Sequence, residues 1–153
     1  MSMKKFLLIV VSIVALVSCN VSQSSPDGKT YGVPDEDGVR LVSNPNKVFS
    51  IDDFVKAGYK KSKQFDVTTV PGAVEVWYGF FNKKNIEVRI FESHETAMKL
   101  GKGPAEIILK KKRTGLIGSS VVSPYPAYAI VGNVVMLCER ELKTCTDLIA
   151  ELP

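Results

Sequence analysis

His94 is the only histidine of the 153-residue chain, so any histidine-based acid–base or nucleophilic catalysis must use it. It follows Ser93, which suits the cap of a helix, and a helix N-terminus disfavours the charged imidazolium. Glu92 and Glu95 are close enough in sequence to orient the ring. A G-x-S-x-G nucleophile motif does not accompany this group, because Gly118-Ser119-Ser120 has glycine on one side only. A hydrolase centred on His94 is one hypothesis, and an exposed first-turn histidine is the alternative.

Motifs for metal or phosphate binding are missing from the sequence, which contains neither H-E-x-x-H nor C-x-x-C. Gly101-Lys102-Gly103-Pro104 would suit an anion at a helix N-terminus, but glycine and proline together favour the end of one helix and the start of another. We therefore expect no metal and no cofactor, and we assign no catalytic residue.

The N-terminal residues have the order of a secretory signal. Lys4 and Lys5 come first, and residues 6 to 17 follow with eleven apolar residues and one serine. Twelve helical residues span about 18 Å, well short of the roughly 30 Å hydrocarbon core of a bilayer. A cleaved signal is therefore favoured over a transmembrane helix.

Leu16-Val17-Ser18-Cys19 resembles the lipobox of bacterial lipoproteins, in which aliphatic and small residues precede an invariant cysteine. The resemblance implies that residues 1–18 are a lipoprotein signal peptide and that Cys19 is the lipidated first residue of the mature protein. Two or three acyl chains anchor a protein far more firmly than one. Asn20 differs from the aspartate that retains enterobacterial lipoproteins in the inner membrane, which favours the outer membrane facing the periplasm, where the organism has one. An ordinary signal peptide with an incidental Cys19 is the alternative.

Lipidation of Cys19 leaves Cys138 and Cys145 as a pair in an oxidising compartment, where paired thiols form disulfides. The bond would close a short loop and contribute roughly 2–3 kcal/mol in the chain-entropy model. A reactive thiol pair and a metal site are the alternatives, but a single histidine leaves few further metal ligands. We predict a structural disulfide.

The net charge of the chain and the positions of its lysines limit the kinds of partner that it can bind. Lysine and arginine total 20 against 16 acidic residues, and the net charge of +4 falls to +2 without Lys4 and Lys5. Lysines cluster at 60, 61 and 63, at 83 and 84, and at 110 to 112 before Arg113. Such clusters suit anionic headgroups or acidic polymers, and a solvated surface is the alternative. Because aromatic residues do not alternate with these lysines, we expect no nucleic acid partner.

The elements that would position these residues form an α+β domain at 47–153, after a polar tether at 19–46. The few apolar residues of the tether that are able to dock a short part of it on the domain are Tyr31, Val33, Val39 and Leu41. A capping-box pattern at Ser50–Asp53 predicts a helix that Gly58 ends, and residues 64–70 alternate as a short strand. Later helices are predicted from Ser93 to Gly101, from Pro104 to Arg113, and over 140–152.

Two β-hairpins are the clearest signals, at 73–91 around residues 82–85 and at 127–138 around Gly132-Asn133. The first is predicted to pair Phe81 with Ile86, and the second to pair Ala127 with Cys138. The second hairpin is apolar on both faces, as central strands are, and the last helix should cover its Met136 face. The order α-(β)-β-β-α-β-β-α defines an α+β fold with helices packed on an antiparallel sheet of two β-hairpins.

One face of the first hairpin is apolar, and the other is the candidate interaction face. We expect it to be covered by the N-terminal helix or presented to a partner. Its residues are Val76, Tyr78, Phe80, Arg89 and Phe91.

Trp77-Tyr78-Gly79-Phe80, Val88-Arg89-Ile90-Phe91 and Ser93-His94-Glu95 resemble segments of small uncharacterised envelope lipoproteins, a resemblance that implies no activity. We expect a non-enzymatic, lipid-anchored envelope protein that binds an envelope protein or a small ligand. The envelope hydrolase using His94 and a purely structural lipoprotein are the alternatives.

Overall fold

The computed structural model describes residues 39–110, 113–114, 120–121 and 124–153. Cys19, the predicted signal peptide and residues 20–38 of the predicted tether lie outside these ranges. Among the described residues, no helix is long and apolar enough to cross a bilayer.

The fold is α+β, as predicted, with helices on a mixed six-stranded sheet. The strand order in space is β1-β7-β8-β4-β3-β2, and all neighbours are antiparallel except β1 and β7. A separate two-stranded ladder joins β5 to β6. The strands are β1 Val39–Ser43, β2 Lys60–Phe65, β3 Ala73–Phe81, β4 Lys84–Phe91, β5 Arg113–Thr114, β6 Ser120–Val121, β7 Ala127–Val131 and β8 Val134–Cys138.

Strand β1 lies within the range predicted as tether. It runs parallel to β7, with Val39 opposite Ala127 and Ser43 opposite Val131, and Leu41 is buried. The folded part of the chain therefore begins before residue 47.

The second hairpin, β7–β8, has the predicted register, with Ala127 opposite Cys138. The register predicted for the first hairpin is wrong by two residues: Phe81 lies opposite Lys84 rather than Ile86. The turn is the pair Asn82-Lys83, which adopts positive φ angles of 48° and 63°, as a two-residue hairpin turn requires. A shift of two residues keeps every side chain on its predicted face.

The strand predicted at 64–70 begins and ends earlier, at 60–65, and residues Val67–Thr69 form a 3₁₀ turn capped by Asp66. Strand β2 is an edge strand that carries lysines at three of its six positions. Charged side chains on an edge strand discourage pairing with another chain, and they also hide the alternation from a hydrophobicity pattern.

Helix α1, Ile51–Lys56, begins at the predicted capping box: the Ser50 N–H and hydroxyl both donate to Asp53 Oδ2, at 2.9 and 2.8 Å. The last helix, α4 Lys143–Ala150, is shorter than predicted. It buries Cys145, Leu148 and Ile149 against the sheet.

The predicted helix break at 101–104 is wrong. Helix α2 His94–Thr96, a π-helical turn Ala97–Gly101 and α3 Lys102–Lys110 follow one another without interruption, and we call them together the long helix. The Lys102 N–H donates to the Ala97 carbonyl, five residues back, and this widened turn accommodates Pro104, which has no N–H to donate. Gly101 serves close packing rather than termination, because a Cβ there would lie 2.6 Å from the Phe91 ring.

Apolar clusters cover both faces of the sheet. On the first face, α1 and α4 pack over Ile86, Val88 and Met136. On the second face, the long helix packs Ala97 and Ala105 over Val135 and Leu137. The second face includes the candidate interaction face of the first hairpin. Of the two outcomes expected for that face, cover by the N-terminal helix is wrong, since α1 lies on the first face.

Candidate functional site

The long helix covers the second face only in part. Val76 and Phe91 are buried in its apolar cluster, whereas Tyr78 is half-buried and Phe80 is 36% exposed. Polar side chains collect at this uncovered part of the sheet. We call it the open corner, formed by Tyr78, Asn85, Glu87, Arg89 and Tyr125.

The predicted interaction face is thus divided by the structure. Val76, Phe91 and Arg89 are all less than 5% exposed, so they form the floor rather than the contact surface. Tyr78 and Phe80 remain accessible, and their rings pack edge to face with centroids 5.3 Å apart. The part available to a partner is smaller and more polar than predicted.

A nearly buried ion pair forms the floor of the open corner. Glu87 and Arg89 are two residues apart on β4, so their side chains share a face. The Arg89 Nε and Nη2 atoms both lie 2.7 Å from Glu87 Oε1, and the two side chains are 5% and 14% exposed. Removing a charge pair from water is costly, so each of these two charges depends on the other for its stabilisation.

The pair is not sealed from solvent. Within the described ranges, Ser43 Oγ is the fully buried side-chain polar atom that has no hydrogen-bond partner. Arg89 has no second hydrogen-bond partner among the described residues, and the Glu87 side chain keeps 14% of its surface exposed. A guanidinium offers five N–H donors in a planar arrangement suited to carboxylates and amides.

Two phenol groups stand beside the ion pair. The Tyr78 hydroxyl donates to Asn85 Oδ1 at 2.6 Å, and Tyr78 lies opposite Glu87 on the neighbouring strand. Burial, with the nearby charges of Glu87 and Glu139 adding to it, raises the pKa of Tyr125 above its ordinary value of 10.0. Its hydroxyl therefore stays protonated at neutral pH and is suited to hydrogen bonding.

The opposite end of the second face also carries polar side chains, and there their hydrogen bonds connect secondary-structure elements. The Tyr128 hydroxyl donates to Glu106 Oε1 at 3.0 Å, and Arg40 reaches the same oxygen at 3.3 Å. Burial raises the pKa of Tyr128 to about 12. These contacts join β1 and β7 to α3 beneath the long helix.

His94 holds a structural position. Its Nδ1 atom lies 2.7 Å from the Gly132 carbonyl, which fixes Nδ1 as the donor and ties the start of the long helix to the β7–β8 turn. Ser93 caps the helix as predicted, accepting from the Thr96 N–H at 3.1 Å. In the part of the chain that the structure describes, Gly132 is the one hydrogen-bond partner of the His94 ring, so no nucleophile or orienting carboxylate meets it.

Cys138 and Cys145 form the predicted disulfide, with Cα atoms 5.5 Å apart. Both residues are fully buried in the first-face cluster, which suits a structural bond. Across the described ranges, His, Cys, Asp and Glu side chains nowhere gather in threes that would hold a metal ion.

Glu87, Asn85 and Tyr125 are site residues that sequence reasoning missed. The opposite charges at 87 and 89 on one predicted strand were a usable signal, because residues two apart share a face. Tyr125 carried no such signal, since it precedes β7 in an irregular segment and approaches the corner through the tertiary fold.

Residues 50–109 match the model of a family of unknown function, DUF6810. The matched stretch runs from α1 through α3, so it includes the Glu87–Arg89 pair and excludes β1, β7, β8 and α4. No curated protein and no solved structure matches the chain.

Proposed function

We propose that the chain is a lipid-anchored protein of the bacterial cell envelope whose folded domain binds a protein segment or a small polar ligand at the open corner. The anchoring is supported by Leu16-Val17-Ser18-Cys19 and the apolar stretch before it. The single observation that carries the binding role is the Glu87–Arg89 pair, whose side chains are 14% and 5% exposed, respectively, at the part of the sheet that the long helix does not cover.

The chemistry of the corner favours recognition over catalysis. Arg89 carries N–H donors beyond those that bond Glu87, Asn85 and Glu87 carry acceptors, and Tyr78 carries a hydroxyl and a ring face. Aromatic side chains with a few convergent polar groups are typical of binding sites. His94, the residue on which the hydrolase hypothesis depends, is committed to the Gly132 carbonyl.

The binding role is tested by photocrosslinking in intact envelopes. A photoreactive phenylalanine derivative replaces Tyr78, and the same derivative replaces Ile107 as the control, since Ile107 is 67% exposed on α3. We expect position 78 alone to yield a discrete adduct that mass spectrometry identifies as protein or small molecule. Identical products at both positions would contradict the proposal.

A second variant separates binding from folding. Tyr78→Phe removes only the hydroxyl that bonds Asn85, so we expect weaker capture of the identified partner with little change in the unfolding midpoint. Arg89→Lys keeps the charge but removes the planar donor set, and we expect a larger loss of capture. Unchanged capture in both variants would remove the open corner as the binding site.

The anchor is tested separately by metabolic labelling with a fatty acid. Cys19→Ser should abolish the label and leave an uncleaved or unanchored product, while Cys138→Ser should retain the label. Continued labelling of Cys19→Ser would refute the lipoprotein assignment without affecting the binding experiment.

A further inference from the structure

We propose that the β2 edge of the sheet docks on the surface of a bilayer that contains anionic phospholipid. The contact surface, which we call the lysine edge, consists of Lys60, Lys61, Lys63, Lys83 and Phe80. The inference rests on the envelope location proposed above, because it requires a bilayer within reach, but it uses a surface beside the open corner rather than the corner itself.

The lysines of this edge are not paired with a carboxylate of any residue that the structure describes. In the described part of the chain, Lys84, Lys102 and Lys143 each reach a carboxylate, at 3.2, 3.8 and 2.5 Å. No ion pair is formed there by the lysines of the edge, which are 60, 61, 63 and 83. Four cations without a carboxylate partner among the described residues, along one edge of the sheet, attract an anionic surface.

Aromatic rings hold two of these cations in place. The Lys61 ammonium lies 4.8 Å from the centroid of the Trp77 ring, and the Lys63 ammonium lies 5.2 Å from that of Phe65. Such contacts restrain long side chains that would otherwise sample many rotamers. The positive charges are therefore arranged along the strand before any ligand arrives.

The apolar side chain of Phe80 lies among the lysines of the edge. Lys60 lies opposite Phe80 in the β2–β3 pairing, and both line an open cleft with Lys83, Asn82 and Gly58. Phe80 is 36% exposed there. A phospholipid offers both partners at once, because its phosphate suits the ammonium groups and its glycerol and upper acyl region suit the ring.

Two alternatives fit this arrangement less well. Lysines alone on an edge strand protect it from pairing with other chains, but that role gives no reason for an exposed phenyl ring between them. A soluble acidic polymer would satisfy the charges but would likewise leave Phe80 without a partner. The roughly twenty residues between Cys19 and Val39 reach about 70 Å at full extension, so an anchored domain can bring this edge to the bilayer.

Trp77 provides a direct measurement, because it is the single tryptophan of the chain and lies under Lys61. The full chain is incorporated into vesicles whose lipids carry bromine in the acyl chains, a quencher of tryptophan emission at short range. We expect strong quenching in phosphatidylglycerol vesicles, loss of that quenching at high salt, and little quenching in phosphatidylcholine vesicles.

The decisive variant is Lys60→Gln/Lys63→Gln/Lys83→Gln, which leaves Lys61 over the indole so that the intrinsic emission is preserved. The matched control, Lys47→Gln/Lys99→Gln/Lys143→Gln, removes the same charge elsewhere. We expect the edge variant to lower the affinity of the domain for the anionic surface by about 100-fold, as expected for three interfacial lysines, and the control to change it little. Phe80→Ser should reduce quenching while retaining its salt dependence.

Three outcomes would overturn the proposal: equal quenching by the two lipids, equal effects of the two triple variants, or a Trp77 response to soluble glycerol phosphate as large as the response to vesicles. The last outcome would indicate a site for a free anion or acidic polymer. Intact Tyr78 crosslinking without Trp77 quenching would remove only the lysine edge, whereas quenching without a Tyr78 adduct would remove only the ligand site.

Discussion

The two faces of the sheet are closed in different ways. On the first face, α1 and α4 cover an apolar surface, and the Cys138–Cys145 bond ties α4 to β8. On the second face, a single long helix covers β7 and β8 and leaves β3 and β4 with a charged, aromatic corner. The difference is one of cover: the first face is closed by two helices, whereas the second face leaves Tyr78 and Phe80 accessible where the long helix does not reach.

Leu148→Ala should have the largest effect on stability among the variants that test the packing of the first face. Leu148 is fully buried where α4 meets the first face, so its truncation should reduce the free energy of unfolding by about 2–5 kcal/mol. Ile107→Ala, at a 67% exposed position over the second face, should change it by less than about 0.5 kcal/mol. Urea unfolding measures both, and similar losses would show that Leu148 is not part of the first-face core.

Glu87→Ala tests how the Glu87–Arg89 ion pair of the open corner affects the free energy of unfolding. The variant leaves Arg89, which is 4% exposed, without its partner. We expect a loss of about 3 kcal/mol, at the lower end of the range for a broken buried pair because the site is open to solvent. The double variant Glu87→Leu/Arg89→Leu should recover most of that stability while abolishing capture of the partner. A double variant no more stable than Glu87→Ala would show that the pair itself stabilises the fold.

Removal of the disulfide weakens the first face alone. Cys138→Ala/Cys145→Ala should lower the free energy of unfolding by about 2–3 kcal/mol, and reductant should shift the unfolding midpoint of the wild type but not of the double variant. Intact-mass measurement should show a gain of two hydrogens on reduction. Capture at the open corner should persist below the new midpoint, and its loss there would show that the two faces are not independent.

Asp53→Ala should make the stability of α1, on the first face, less dependent on pH. Hydrogen bonds from the Ser50 N–H and hydroxyl hold the pKa of Asp53 below its ordinary value of 3.8. A lowered pKa contributes stability above that value, and the contribution disappears as the pH falls through the pKa of the folded state. Loss of the capping box on α1 should cost about 1 kcal/mol at neutral pH. Thermal unfolding of the two proteins should converge in acid, and a gap independent of pH would contradict this account.

Phe80→Ala should have the smallest effect. Phe80 is 36% exposed and packs mainly on Tyr78, so we expect a loss below about 1 kcal/mol, whereas Phe91→Ala, at 1% exposure, should cost about 3–5 kcal/mol. The thermal midpoints of the two variants check the division of the second face. Equal losses would mean that Phe80 belongs to the core.

The parts of the fold that were predictable depend on local signals. The α1 capping box, the β7–β8 register and the apolar side of α4 follow from neighbouring residues, and all three are confirmed. Strand β1 was missed because its pairing with β7 joins residues almost 90 positions apart. The continuous long helix was missed because Gly101 accommodates the Phe91 ring, a contact that no local pattern reveals.

The candidate site was predictable in part for the same reason. Tyr78, Phe80 and Arg89 were found because alternation along a hairpin assigns side chains to faces. The long helix determines which residues of that face are buried and which are accessible, and its placement was not predicted. A shift of two residues in the register also placed Arg89 opposite Val76 rather than Tyr78.

Strand β1 and the lysine edge lie at opposite sides of the same sheet. Five strand spacings separate them, a distance of about 24 Å. With the proposed anchor at Cys19 and the proposed docking at β2, the domain would be attached to the bilayer at two points, and its rotation about the tether would be restricted. The strand-to-strand direction of the sheet would then run away from the bilayer, with the open corner close to the membrane surface. A partner that diffuses along the membrane would reach the corner from the side.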